Sequence, residues 1–254
     1  MSKNFELLQQ AEINLQAGNG TAWKETTLLD LQAKSVSERA SALKPDKVFQ
    51  EECLKLVQSL FFMQGGAAQR SVVFAGVDSG SGCSKMCART AELLAMNITG
   101  TVCLVDANLR APSLPEAFGV SNHFGLTDSL RKQGPIRDFA KPLKPENLWL
   151  LSCGSSADIS AWLLNSESMK ARVAELREAF DYVLIDAPPL GTYADGIALG
   201  QLADGLVLVL EANNTRREAA SRVAEQLKAA QIRILGAVLN KRTFPIPEPL
   251  YRRL

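Results

Sequence analysis

Six short apolar runs, set apart by stretches of helical length, constrain this chain more than any other feature. Residues 71–76, 101–106, 147–151, 181–186, 205–210 and 233–238 read as strands. Residues 84–96, a short stretch near 113–118, 160–179, 194–202 and 215–230 read as helices, and another helix over about 48–63 precedes the first strand. Runs that are apolar throughout suit strands buried on both faces. Strand–helix alternation of this kind implies an α/β fold, a mainly parallel sheet with helices on both faces.

The turn after the first strand carries the chemistry. It reads Val77-Asp78-Ser79-Gly80-Ser81-Gly82-Cys83-Ser84-Lys85 and runs directly into the next helix. Glycines let backbone N–H groups converge, and a helix N-terminus adds partial positive charge, so the combination makes an anion site. The phosphate-binding form of this turn ends Gly-x-Gly-Lys-Ser/Thr. Gly80, Gly82 and Ser84 fit that form, while Cys83 stands where the lysine is expected. A charge about 4 Å from a phosphate is worth roughly 4 kcal/mol at an effective dielectric near 20. A helix terminus supplies only ~0.3–1 kcal/mol, up to ~2 when partly buried, and does not replace it. Lys85 is two helical positions on, facing another direction, with a stem long enough to reach back. The bland alternative is a tight strand-to-helix turn with Ser84 in its first helical turn.

Two strands end in carboxylates. Val102-Cys103-Leu104-Val105 leads into Asp106, and Val183-Leu184-Ile185 into Asp186. Ligands of parallel sheets collect beyond the strands' carboxyl ends, which places both aspartates, as solvent-facing groups, beside the Gly-rich turn. With Ser84 they provide the hard oxygen ligands of a magnesium–nucleotide complex. A lone strand-end Asp is more readily a turn cap, but turn, first Asp and second Asp occur here in order.

At these residues the chain resembles the bacterial tyrosine kinases of capsule and exopolysaccharide assembly, which belong to the deviant P-loop ATPases together with ParA and MinD proteins. The resemblance spans about residues 49–251. It rests on the turn at 80–85, on Asp106-Ala107-Asn108-Leu109-Arg110-Ala111-Pro112, on Phe180 to Pro189, on Ala203 to Val209 and on Gly236-Ala237-Val238-Leu239-Asn240. It implies a P-loop NTPase-like fold with ATP and magnesium as ligands. Gly80, Ser81, Gly82, Cys83, Ser84, Lys85, Asn108 and Asn240 then line the nucleotide site, with Asn240 on the adenine. Ser84, Asp106 and Asp186 hold the metal, and the two aspartates are the catalytic carboxylates. Glu52, Lys55 and Gln58 stand where the family has a Glu-x-x-Arg-x-x-Arg ring-forming helix, so a homo-oligomer is expected. Tyr251 is the single tyrosine left where members carry a phosphorylated cluster. The implied partner is a membrane-embedded polysaccharide chain-length or co-polymerase protein.

The departures fall on the chemistry. Cys83 replaces the lysine, Asn108 replaces the second acid of an Asp-x-Asp pair, and Lys55 lacks the bidentate fork of arginine. The reading is therefore a catalytically impaired regulatory or scaffold subunit of that pathway. The alternatives are an active tyrosine autokinase and a ParA- or MinD-like ATPase switch.

Composition narrows the rest. Lys and Arg total 28 against 27 Asp and Glu, a net charge of +1 that gives no broad basic surface for nucleic acid. No apolar stretch nears the roughly 20 residues of a membrane-crossing helix, and the polar start is unlike a secretory signal, so a cytoplasmic protein is expected, peripheral at the membrane through its partner. Five scattered cysteines fit reduced thiols, with Cys83 the candidate for a lowered pKa at a helix N-terminus. His123, the only histidine, has no partner residue for base catalysis. Residues 1–48 read as an N-terminal arm or linker, 49–243 as the P-loop domain and 244–254 as a proline-rich tail.

Overall fold

The computed structural model describes residues 47–62, 69–154, 164 and 166–242. The N-terminal arm before residue 47, the C-terminal tail with Tyr251, and the first part of the helix expected over 160–179 lie outside the described residues. The elements are α1 (Lys47–Val57), β1 (Ser71–Gly76), α2 (Cys83–Asn97), β2 (Val102–Asp106), α3 (Leu114–Ala117), α4 (Leu126–Ser129), β3 (Lys141–Pro142), β4 (Leu148–Leu151), α5 (Glu167–Ala179), β5 (Tyr182–Ala187), α6 (Asp195–Leu202), β6 (Gly205–Glu211), α7 (Arg217–Ala229) and β7 (Ile234–Asn240). All six expected strands form, within a residue or two of their expected limits.

They build one seven-stranded sheet in the order β3-β4-β2-β5-β1-β6-β7. Every pairing is parallel except β3 with β4. Side chains alternate across each strand, and in this sheet both faces are apolar. Val72 and Phe74 enter one core with Leu104, Leu184 and Val207, beneath α1, α2 and α3. Val73 and Ala75 enter the other with Val105 and Ile185, beneath α4, α5, α6 and α7. Helices on both sides thus account for the continuous apolar runs of β1, β2, β4, β5 and β6, whereas no residue of the edge strand β7 is buried. Ser166 opens α5 by accepting a hydrogen bond from the Met169 amide at 3.1 Å, a side-chain N-cap.

Two details depart from expectation. The helix expected over 48–63 is α-helical only to Val57 and continues as a π-helical turn, Gln58–Phe62. The antiparallel edge strand β3, two residues long, has no apolar run to announce it. β1 and β5 lie at the centre, where the chain reverses its direction of progress through the sheet. Ligand clefts in such sheets open there, beyond the strands' carboxyl ends.

Candidate nucleotide site

The turn between β1 and α2 is shaped by its glycines. Gly80 and Gly82 hold φ values of 79° and 81°, in the left-handed region that β-carbons disfavour. Gly76 is needed for close approach: a Cβ there would come within 2.3 Å of Ser81 Oγ. Gly82 is the N-cap of α2 and brings no capping side chain, so the first-turn amides are not claimed by one. The turn opens on a cleft of about 390 Å³, which Ser84, Asn108, Arg110, Ser113 and Tyr193 also line.

Asp106 and Asp186 are register partners on the adjacent strands β2 and β5. Both are fully buried, which corrects the expectation of solvent-facing carboxylates. Asp106 accepts from the amides of Asn108 and Leu114, each at 3.2 Å. Burial still raises its pKa to about 7 against those amides. Neither oxygen of Asp186 has a hydrogen-bond partner. Burial raises its pKa to about 7 as well, reinforced by the Asp106 charge; the nearby Ser84 hydroxyl and Cys83 thiol lower it without meeting hydrogen-bond geometry. A buried carboxylate with two unmet oxygens, beside a second carboxylate and a hydroxyl, is a donor set that fits a hard divalent cation.

Cys83 is the first residue of α2 and packs against the core on the α2 side of the sheet. Burial, then the Asp186 charge, pushes its thiol well above the ordinary range. The lowered pKa expected from the helix terminus is therefore reversed: desolvation and a neighbouring carboxylate outweigh a partial dipole. Lys85 does not reach back to the turn. It is exposed at the rim, with Nζ 5.1 Å from the centroid of the Phe49 ring on α1.

Asn240 ends β7 and donates from Nδ2 to the Ser81 carbonyl at 2.8 Å. That bond ties the end of β7 to the phosphate turn. Lys241, which no sequence motif marks, donates from Nζ to the Gly80 carbonyl at 2.6 Å and pairs with Glu211 at 3.1 Å. Asn108 lines the cleft and accepts weakly from the Ala111 amide at 3.4 Å, closing the bend after β2. Glu52 and Lys55 are exposed and pair with each other at 2.7 Å, and Gln58 is exposed in the π-helical turn, so the three share one face but show no further role within a single chain. Arg110 is the site residue that sequence reasoning passed over, although it lies within the stretch from Asp106 to Pro112. Its place in that stretch was a signal in sequence; its anchors on Asp195 and Tyr193 appear only in three dimensions.

A seven-stranded, mainly parallel sheet with a Gly-rich turn between β1 and α2, and two carboxylates at the ends of β2 and β5, defines a P-loop NTPase. The family profile of ParA proteins, described as NUBPL iron-transfer P-loop NTPase, matches residues 68–249. The chain is 31% identical over 196 residues to the tyrosine-protein kinase YwqD of Bacillus subtilis, covering 77% of this chain and 82% of that protein. It is 27% identical over 139 residues to the tyrosine-protein kinase CpsD of Streptococcus agalactiae, covering 54% of this chain and 61% of that one. Among solved structures, the kinase domain of VpsO superimposes with a TM-score of 0.69 at 26% identity, covering 78% of this chain and 98% of that domain. The chain belongs to the bacterial tyrosine kinase family, within the ParA-type P-loop NTPases. No helix among the described residues is long and apolar enough to cross a membrane.

Proposed function

We propose that this chain is a catalytically impaired member of its family, a regulatory or scaffold subunit of capsule or exopolysaccharide assembly that acts with a membrane-embedded chain-length protein and holds ATP weakly. One observation carries the reading: the residue at the start of α2, where the phosphate-binding ammonium belongs, is Cys83, whose thiol is kept neutral by burial and by Asp186. Phosphoryl transfer depends on positioning and charge neutralisation rather than on covalent chemistry by the protein. Losing a lysine, and with Asn108 a carboxylate, weakens both together. Ser84, Asp106 and Asp186 are the residues that would hold magnesium, which when bound neutralises phosphate charge. The turn's amides orient the phosphates, and the apolar floor beneath Asp106 and Asp186 keeps water from the carboxylates.

A second reading, the active tyrosine autokinase, is favoured by the intact backbone geometry of Gly80 and Gly82 and by the open cleft beside them. Titrating purified protein with ATP and magnesium, followed by mapping of phosphotyrosine by mass spectrometry, separates the two. The impaired reading expects weak binding, a gain in affinity in Cys83→Lys, and no transfer by the unaltered chain. Phosphate appearing on Tyr251 of the unaltered chain, and vanishing in Asp106→Asn, overturns it.

A further inference from the structure

Arg110 lies just beyond β2 and lines the cleft together with the phosphate turn, and its guanidinium is fixed in two ways. Its Nε donates to Asp195 Oδ2 at 3.0 Å, and Asp195 is only 4% exposed. Its guanidinium carbon sits 4.0 Å from the centroid of the Tyr193 ring. Both anchors come from the segment that leads from β5 into α6. Among the described residues neither terminal nitrogen of Arg110 has a hydrogen-bond partner, so two donor groups on an oriented plane remain to be used. The side chain is 37% exposed and lines the same cleft as Gly80 and Ser84. The other cation that lines this cleft, Lys85, is drawn to Phe49. A planar, permanently charged fork held rigid on an aromatic face is suited to phosphate oxygens, and it loses little freedom on binding them.

We propose that Arg110 supplies the phosphate-binding charge that Cys83 lacks, reaching the nucleotide's phosphates from the bend after β2 rather than from the turn. Tyr193 and Asp195 are its positioning residues. The inference rests on the cleft being a nucleotide site and requires no catalytic competence.

The test is calorimetric titration of the full chain with ATP–magnesium and, separately, with adenosine, which carries no phosphate. Arg110→Ala is expected to lose ATP affinity about ten- to hundredfold and to leave adenosine affinity unchanged. Arg110→Lys, which keeps the charge without the fork, falls between the two. In a Cys83→Lys background the same Arg110→Ala change costs less, because the turn again carries an ammonium. If Arg110→Ala melts early from leaving Asp195 unpaired, Arg110→Gln, which keeps a donor towards Asp195, takes its place. Unchanged ATP affinity in the variant, or equal losses for ATP and adenosine, overturns the proposal. ATP binding by Cys83→Lys but not by the unaltered chain also overturns it and leaves the nucleotide site standing. Binding by neither chain overturns both.

Discussion

At the residue scale, the missing lysine was legible because its position is fixed by its neighbours in sequence, Gly82 and Ser84. Depth was not. The apolar runs that end in Asp106 and Asp186 look the same whether the last residue meets water or is sealed beneath the next turn, and here it is sealed. That reverses one expectation about stability. A buried carboxylate with no partner weakens the fold, so Asp186→Asn should raise the melting temperature at pH 8 by a few degrees while abolishing any magnesium-dependent nucleotide binding; scanning calorimetry and titration check the two effects. Asp204 behaves in the opposite sense. Burial raises its pKa, but the amides of Ser71 and Arg70 and the Arg177 guanidinium outweigh that and hold it below the usual 3.8. The unfolded chain takes up a proton near 3.8 and the folded chain only lower, so this contribution is whole above 3.8 and is lost as pH falls through the folded value. Asp204→Asn should therefore lower stability at neutral pH and flatten its decline in acid, as read by denaturant unfolding at a series of pH values. Partners such as Arg110 and Asp195, 85 residues apart in the chain, were invisible because nothing local marks them.

At the element scale, strands buried on both faces announced themselves, since a short run that is apolar at every position, bounded by turns, is what a strand covered on both sides requires. β3 did not, because Lys141 and Pro142 carry no pattern and are held in place by β4. The π-helical turn at Gln58–Phe62 was equally hidden, as its side-chain spacing differs little from that of an α-helix. The turn between β1 and α2 is the element most sensitive to a small change. A Cβ on Gly82 would meet Asn240 Nδ2 at 2.4 Å and would sit at a φ of 81°. Gly82→Ala should cost about 1–3 kcal/mol from backbone strain. Adding Asn240→Ala should relieve the steric part and leave the strain, which a comparison of unfolding midpoints for the single and double variants measures.

At the scale of the whole molecule, alternation fixed the sheet as parallel but not its order, because which strands lie side by side depends on pairings between distant parts of the chain. The observed order puts β1, β5 and β2 inside the sheet and leaves β7 at an edge, with Leu239 56% exposed. Amide exchange should be slowest in β1 and β5 and fastest in the edge strands β3 and β7, since edge pairings open without disturbing the two cores. The grip of Asn240 and Lys241 on the carbonyls of Ser81 and Gly80 gives the β7 edge a mechanical meaning. The last residue of β7 and the one after it are both bonded to the phosphate turn, so the turn and the exit share one anchorage, like a latch on the same hinge as its door. Load applied to the chain after Arg242 reaches the phosphates' seat without crossing either core. A bulky fusion placed there should shift nucleotide affinity, whereas a label of equal size at exposed Met96 should not.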